Sequence, residues 1–213
     1  MWGNQCRKMQ RYDIINYLIN KNNYTTYLEI GTEHGENIKK IKCESIESID
    51  PVKNYEHLTY LMTSDEAFKY IKNEKKTYDI IFIDGDHLEA QVDKDIQNSL
   101  DVLNKNGVIV VHDCIPPTKE HASDPRTRKI NWNGTVYKSL INVRYTRPEL
   151  FVCVIDTDWG CGLIKRKDNQ SLYSKISIEK AKEWEYFDKH KWELLNIISV
   201  NDFLYNPKYV YFL

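Results

Sequence analysis

The stretch Tyr78-Asp79-Ile80-Ile81-Phe82-Ile83-Asp84-Gly85-Asp86-His87 decides the fold. Its four consecutive apolar residues, three of them β-branched, lie between acidic positions, which predicts a short strand buried on both faces. A strand of this kind belongs near the middle of a sheet. Two carboxylates, a glycine and an imidazole lie at its carboxyl end, where open α/β sheets bind ligands. The sequence therefore predicts a functional site directly after this strand.

Strands and helices are predicted to alternate on both sides of this stretch. Further strand patterns occupy residues 27–31, 45–50, 58–62, 108–113, 150–155 and 162–164. Helical spacing covers residues 12–19, a segment through Ile38 and Ile41, residues 64–71 with Ser64 as cap, 88–103, 136–143 and the tail from residue 176. This alternation predicts an α/β fold with a doubly wound, mainly parallel sheet. The short join at residues 156–160 predicts that the last two strands are antiparallel.

The length of the chain suits one domain rather than two. Its 213 residues, 41% of them hydrophobic, are enough for one substantial core. We expect a single domain over residues 1–213, with a leading helix in 1–24, a core in 25–165 and a C-terminal helical tail in 166–213. Residues 114–134 form a long polar connection after a strand-end carboxylate, and we expect an active-site loop there.

Charge and cysteine content argue against several classes of protein. Thirty basic and 31 acidic residues leave a net charge of -1, which argues against a nucleic-acid or anionic-membrane partner. The absence of an apolar signal core or bilayer-spanning run predicts a cytoplasmic protein. Five scattered cysteines without a Cys-x-x-Cys pair predict reduced thiols rather than a disulfide framework or a zinc site. We expect a small-molecule partner, and a homodimer is left open.

The segment Glu29 to Gly35 has the position of a nucleotide-binding turn. A strand ends, two glycines permit a tight bend, and a helix is predicted to begin. Asp50 ends the next strand about twenty residues past the first glycine, the spacing from which a carboxylate reaches ribose hydroxyls. A pyrophosphate needs small residues in such a turn, and here Glu33 and His34 occupy those positions. The pattern favours a nucleoside ligand that carries an amine or a cationic group over NAD.

Five motifs follow one another on the predicted elements. They are Tyr27-Leu28-Glu29-Ile30-Gly31, Ser48-Ile49-Asp50-Pro51, Thr63-Ser64-Asp65-Glu66, Phe82-Ile83-Asp84-Gly85-Asp86-His87 and Val110-Val111-His112-Asp113-Cys114. In this order they resemble the class I S-adenosylmethionine-dependent methyltransferases. The resemblance is closest to bacterial and viral small-molecule and sugar O-methyltransferases with an Ile-Asp-Gly-x-His signature. It covers residues 25–165, and residues 132–137 and 156–162 also resemble segments of that group.

The resemblance implies a Rossmann-like methyltransferase fold, with a seven-stranded sheet and an antiparallel last strand. It implies S-adenosyl-L-methionine as the cofactor. The implied cofactor-binding residues are Glu29 and Gly31 at the methionine part, with Thr32 and Gly35 in the same turn, Asp50 at the ribose, Ser64 and Asp65 at the adenine, and Asp84 beside the sulfonium. The sequence departs from the family at His34, where a small residue is usual.

Methyl transfer to a hydroxyl requires alignment of the acceptor and removal of its proton. Several related O-methyltransferases use a divalent cation such as Mg²⁺, held by a carboxylate after strand four and by residues after strand five. Asp84 and Asp113 match two of these positions, and His112 or Cys114 would supply the third ligand. The residues leave open whether a metal is required.

Histidines offer a second means of removing the proton, because imidazole titrates near neutral pH. The candidate bases are His87, His112 and His121, of which we rank His112, together with Asp113, above His87. The catalytic candidates are therefore Asp84, His112, Asp113 and His87.

The sequence thus favours an S-adenosylmethionine-dependent O-methyltransferase that acts on a small polar acceptor. A sugar or a nucleotide sugar, and hence carbohydrate modification, is favoured by resemblance alone. Two other classes remain as alternatives, an NAD-dependent oxidoreductase on a similar fold and a non-catalytic nucleotide-binding protein. Binding of S-adenosylhomocysteine or of NAD would distinguish them.

Overall fold

A computed structural model describes residues 8–127, 131–167 and 176–210 of the chain. The strands are β1 (Thr26–Ile30), β2 (Ser45–Asp50), β3 (Tyr60–Leu61), β4 (Tyr78–Ile83), β5 (Leu103–Val111), β6 (Leu150–Ile155), β7 (Cys161–Arg166) and β8 (Ile197–Ile198). The helices are α1 (Arg11–Asn22), α2 (Ser64–Asn73), α3 (Glu89–Val102), α4 (Val136–Thr146), α5 (Ile178–Lys182), α6 (Trp184–Leu194), α7 (Val200–Tyr205) and α8 (Pro207–Val210). None of the helices in these ranges is long and apolar enough to cross a lipid bilayer.

All eight strands form one sheet, in the order β3-β2-β1-β4-β5-β7-β6-β8. Strands β1 to β5 are mutually parallel where they pair, and β7 runs antiparallel to both β5 and β6. The predicted doubly wound, mainly parallel sheet is confirmed. The stretch on which the prediction rested is central, because β4 lies between β1 and β5 and its Ile80, Ile81 and Phe82 side chains are fully buried.

The expected count of seven strands is wrong, because the C-terminal tail adds an eighth. Strand β8 pairs in parallel with β6, with Val154 opposite Ile197. The antiparallel strand β7 therefore lies inside the sheet, and a parallel strand forms the edge. A strand of two residues has no periodicity, so the sequence pattern could not reveal it.

Three further elements differ from the sequence prediction. The helix expected through Ile38 and Ile41 is a single 3₁₀ turn at Ile38–Lys40, because positive φ angles at Gly31, Glu33 and Gly35 keep the preceding residues in turns. Residues 104–107, expected to be a loop, belong to β5, and a register shift in its pairing with β4 accommodates them. The part of the tail from residue 176 to 210 is several short helices instead of one.

Helices cover both faces of the sheet and build one apolar layer on each. On one face α2, α3, α4 and α6 pack around residues such as Phe68, Leu140 and Phe187. On the other face α1 and α7 contribute Ile14 and Phe203. Since β1, β2, β4 and β5 are parallel, their carboxyl ends meet at one edge of the sheet. The residues after these strands therefore lie close together.

Candidate active site

A cavity of about 820 Å³ opens at the carboxyl ends of the central strands. Its volume is in the range of sites that hold small molecules and cofactors. Residues after β1, β2, β4 and β5 line it, together with the start of α1, the loop between β5 and α4, and the turn between β6 and β7. The predicted residues that line it are Gly31, Asp50, Ser64, Asp65, Asp84, His87, His112 and Asp113.

Gly31 holds the turn after β1 against the end of β4. Its φ is +83°, and a Cβ atom at this position would lie 2.2 Å from the carbonyl oxygen of Asp84. Only glycine combines that backbone conformation with so close an approach. The turn expected from the sequence is therefore present, and it brings the backbone of β1 directly beside the first acidic residue after β4.

Asp50 connects the ends of β1 and β2. Its two carboxylate oxygens accept hydrogen bonds from the backbone N–H groups of Glu33 and Val52, each at 2.8 Å. Each carboxylate oxygen has a second lone pair, so the side chain can also accept hydrogen bonds from a ligand in the cavity. Asp50 thus fixes the turn and contributes to the cavity wall.

Glu29 is buried beneath the turn and does not line the cavity. Its carboxyl group accepts hydrogen bonds from the Tyr27 hydroxyl at 2.5 Å and from Asn37 Nδ2 at 2.7 Å. Burial raises the pKa of Glu29 to about 7, although the two hydrogen bonds act in the opposite direction. Thr32 and Gly35 are likewise buried and lie outside the cavity wall.

The far end of the cavity is organised by two residues of α3 that the sequence analysis missed. Asp95 accepts hydrogen bonds from Ser64 Oγ at 2.6 Å and from Gln91 Nε2 at 3.1 Å, and Gln91 also reaches Asp65 at 3.3 Å. Burial raises the pKa of Asp95 to about 6. Gln91 and Asp95 are four residues apart and lie on one face of the helix. This spacing is the feature of the sequence from which their contact could have been predicted. The cap of α2 is Thr63 rather than Ser64.

Two histidines and a second aspartate surround the Asp84 carboxylate. His112 Nδ1 lies 3.2 Å and His87 Nε2 3.4 Å from Asp84 Oδ1. The same two imidazoles lie 3.4 and 3.5 Å from Asp113 Oδ2. Burial alone would raise the pKa of Asp84, but attraction to His112 and His87 holds it well below its usual range. Burial likewise opposes charge on His112, yet Asp84 and its neighbours raise its pKa well above the ordinary value.

The loop before α4 fixes the position of His87. His87 Nδ1 lies 2.8 Å from the carbonyl oxygen of Trp132, and the indole stacks on the imidazole with centroids 5.5 Å apart. The backbone N–H of Thr135 donates to the His87 carbonyl at 2.8 Å. Asn133 Nδ2 donates to Asp113 Oδ1 at 2.7 Å. Residues 132–137 belong to a segment that the resemblance noted, but the sequence assigned no role to them.

A second group that sequence reasoning missed joins α1 to the β6–β7 turn. The backbone N–H and Nη1 of Arg11 donate to Asp158 Oδ2 at 2.8 and 3.2 Å. Arg11 Nε lies 3.9 Å from Asp84 Oδ2, and His112 Nε2 lies 3.7 Å from Asp158 Oδ2. Burial opposes the charge of Asp158, but the nearby imidazole of His112 and the hydrogen bonds from Arg11 lower its pKa to about 2. No local pattern pairs residues 147 positions apart.

Two of the predicted candidates do not reach the cavity. The Cys114 thiol is fully buried and donates to the carbonyl of Val111 at 3.3 Å. His121 is buried and stacks on Trp159, with ring centroids 5.9 Å apart. Neither residue is part of the cavity wall.

Asp84, His87 and Asp113 have the donor atoms to hold a divalent cation. Each offers one ligand atom, and these atoms all lie within 4.8 Å of one another. Two carboxylates and an imidazole suit a divalent cation. The contact between His87 Nδ1 and a backbone carbonyl is the usual support of a ligating histidine, because it leaves Nε2 for the metal. The third donor is therefore His87 in this geometry, while Cys114 points away.

Comparison with known proteins agrees with this geometry. Residues 17–114 match the model of a family described as a methyltransferase domain. This part of the chain is therefore similar to methyltransferase domains. A search of curated proteins finds no match.

Solved structures of methyltransferases share the fold of about three quarters of the chain. An O-methyltransferase from Bacillus cereus in complex with SAH has 14% identity and a TM-score of 0.53, covering 72% of this chain and 78% of that chain. TomG from Streptomyces achromogenes, in complex with SAM, has 12% identity and a TM-score of 0.56, covering 74% and 79%. SAH-bound PaMTH1 from Podospora anserina has 17% identity and a TM-score of 0.51, covering 74% and 78%. The chain thus shares the Rossmann-like α/β fold of these solved structures.

We expect the buried Glu29 to make stability depend on pH. Because its folded pKa of about 7 lies above the ordinary glutamate value of 4.5, its stabilising contribution is complete below pH 4.5 and is lost as the pH rises through 7. The loss amounts to about 3 kcal/mol by pH 8. Glu29→Gln stays neutral, so its free energy of unfolding should fall less between pH 5 and pH 8 than that of the wild type in urea titrations.

The matched control for this experiment is Glu33→Gln, at an exposed position of the same turn. It should keep the pH dependence of the wild type. An equal loss of stability in the wild type and in Glu29→Gln would show that the Glu29 carboxyl is not held neutral.

Proposed function

We propose that the protein is an O-methyltransferase that uses S-adenosylmethionine and acts on a hydroxyl of a small polar acceptor in the cytosol. One observation carries the proposal. A single cavity contains both a strand-end carboxylate suited to a ribose, Asp50, and a cluster suited to deprotonating a hydroxyl, Asp84 with His87 and Asp113. The match to a methyltransferase domain and the fold support a methyl group as the group that is transferred.

The proposed cofactor site follows the cavity from Gly31 to Asp65. S-adenosylmethionine supplies a methyl group activated by a sulfonium when it is bound. Gly31 lets the backbone approach the ligand, Asp50 accepts hydrogen bonds from the ribose, and Ser64 with Asp65 borders the adenine. The acidic Glu33 in the turn disfavours a pyrophosphate, and hence NAD. Two of the similar structures are complexes with SAH and SAM, which supports the same choice here.

We propose His87 as the group that accepts the proton of the acceptor hydroxyl. A carbonyl oxygen can only accept, so the Nδ1–H of His87 donates to Trp132 and Nε2 is left as the basic atom on the side of Asp84. His112 suits this role less well, because it is more deeply buried than His87 and lies among three carboxylates, Asp84, Asp113 and Asp158. This ranking reverses the one based on the sequence.

As the alternative to a histidine base, we propose that Asp84 and Asp113, with His87 Nε2 as the third donor, hold a divalent cation such as Mg²⁺, in which case Nε2 does not accept the proton. When bound, the cation would lower the pKa of the acceptor hydroxyl and orient it. The three donor atoms within 4.8 Å of one another support this proposal. Asn133 orients the Asp113 carboxylate by donating to its Oδ1.

For the acceptor we propose a sugar or a nucleotide sugar. The open side of the cavity combines carboxylates with the indoles of Trp132 and Trp159. Such a wall offers hydrogen-bond acceptors for hydroxyls and flat apolar surfaces for the faces of a ring. A screen of sugars, nucleotide sugars and phenols with cofactor labelled in its methyl group would test the choice. Labelling of phenols alone would contradict it.

Substitutions should separate the reaction centre from the cofactor site. Asp84→Asn should lower turnover at least about 100-fold, because it removes the charge that supports proton transfer, while S-adenosylhomocysteine still binds. Asp50→Ala should instead weaken S-adenosylhomocysteine binding roughly tenfold or more, since it removes the ribose contact. Turnover and calorimetry measure the two effects.

The control is the neighbouring exposed Asp86→Asn, whose amide oxygen can still accept from the Leu88 N–H. Full turnover of Asp84→Asn would contradict the assignment.

Removal of metal should lower turnover if Asp84 and Asp113 hold a cation. We expect at least a tenfold loss after exhaustive chelation, because the hydroxyl is then no longer polarised, and recovery on addition of Mg²⁺ or Mn²⁺. Asp113→Ala should remove the response to added metal and leave S-adenosylhomocysteine affinity unchanged. Unaltered turnover after chelation would refute the cation and leave His87 as the sole means of activation.

A further inference from the structure

The charges along the cavity wall are unevenly distributed. Acidic side chains line it from the turn after β1 to the end of β5, namely Glu33, Asp50, Asp65, Asp84, Asp86 and Asp113. Arginine contributes only Arg11 and Arg126 among the described residues that line it. The positive amine and sulfonium of S-adenosylmethionine suit this acidic wall. The carboxylate of its methionine part would be repelled by the wall unless it lay against one of the two arginines.

The two arginines lie on different sides of the reaction centre. Arg126 belongs to the loop after β5 and lies over the Trp132 ring, 5.3 Å from its centroid. Arg11 approaches Asp84 from α1, at 3.9 Å from Nε to Oδ2. The backbone of Asp84 in turn touches Gly31, at the turn where the methionine part of the cofactor is proposed to lie. Of the two arginines, Arg11 is therefore the one that lies nearer to the proposed position of the methionine part.

The hydrogen-bonding capacity of Arg11 is only partly used. Among the described residues its side chain makes one hydrogen bond, from Nη1 to Asp158. Nε is buried and has no hydrogen-bond acceptor, since Asp84 is too distant. Nη2 makes no hydrogen bond to a described residue either, and Arg11 lines the cavity, so its guanidinium keeps N–H donors for a ligand.

The position of Arg11 is also fixed in advance. Its backbone N–H donates to Asp158 at 2.8 Å, and α1 is anchored in the core by Ile14, Ile15 and Leu18. The guanidinium therefore has little freedom to lose on binding a ligand. Its planar fork of N–H donors matches a carboxylate in two parallel hydrogen bonds.

We infer that Arg11 binds the α-carboxylate of the methionine part of S-adenosylmethionine. The inference rests on the proposed cofactor and adds the residue that recognises its amino-acid end. Asp158 holds the guanidinium in place, Asp84 lies beside it, and the carboxylate fills the donors that the protein leaves unbonded. Helix α1, which lies outside the strand-end motifs, thereby becomes part of the cofactor site.

The inference is tested by two ligands that differ only in the carboxylate. S-adenosylhomocysteine carries it, and the decarboxylated analogue S-adenosyl-3-thiopropylamine keeps the adenosine, the sulfur and the amine. Calorimetry on the full chain should show that Arg11→Gln weakens S-adenosylhomocysteine binding roughly 10- to 100-fold. The affinity for the decarboxylated analogue should change much less. Arg11→Lys keeps the positive charge but loses the planar pair of N–H donors. Its affinity for S-adenosylhomocysteine should lie between those of the wild type and Arg11→Gln.

Arg126→Gln is the matched control, because it removes the other arginine of the same cavity. It should leave the ratio of the two affinities as in the wild type. If Arg11 had a purely structural role, Arg11→Gln would lower the affinity for both ligands equally, and the inference would be overturned. Unchanged affinity of Arg11→Gln for S-adenosylhomocysteine would overturn it as well. Failure of the wild type to bind S-adenosylhomocysteine at all would instead overturn the proposed function, and the inference with it. If Arg11→Gln does not fold, the same comparison is decided with Arg11→Lys.

Discussion

The buried charge of Asp84 is the constraint on which the site depends. A carboxylate that leaves water is costly unless charged partners and hydrogen bonds compensate for it. Here His112 at the end of β5 and Arg11 on α1 supply positive charge, and the imidazole of His87 after β4 lies 3.4 Å from the carboxylate. Asp158 and Asp113 then hold these partners in place. Four separate parts of the chain meet around one partly buried side chain, and removal of a single partner would leave its charge less well compensated.

This arrangement gives the two ends of the cavity different chemistry. Around Asp84 the network fixes charged groups against each other, which prepares them for proton transfer without reorganisation. Around Asp50 and Ser64 the polar groups bond to backbone N–H groups and to α3, and they present acceptors at the wall. An extended ligand with a nucleoside at one end and a reactive centre at the other fits this division. The acidic turn after β1 makes a dinucleotide phosphate a poor match.

The sequence predicted those features of the site that follow from the order of the strands. The apolar runs at β4 and β5 are unmistakable, and parallel neighbours bring Asp84, His87, His112 and Asp113 together at one edge. The partners of this cluster were not predictable. Arg11 and Asp158 are 147 residues apart and meet only because α1 packs across the sheet. Burial of Glu29 beneath its own turn likewise depends on Tyr27 and Asn37, which local patterns do not pair.

Binding of the cofactor tests the central claim most directly, because every proposed role depends on a nucleoside and a sulfonium occupying this cavity. Isothermal titration calorimetry of the purified chain with S-adenosylhomocysteine and, separately, with NAD compares a nucleoside ligand with a dinucleotide. The account predicts saturable binding of S-adenosylhomocysteine with a stoichiometry of one per chain and no binding of NAD. Binding of NAD without binding of S-adenosylhomocysteine would contradict it.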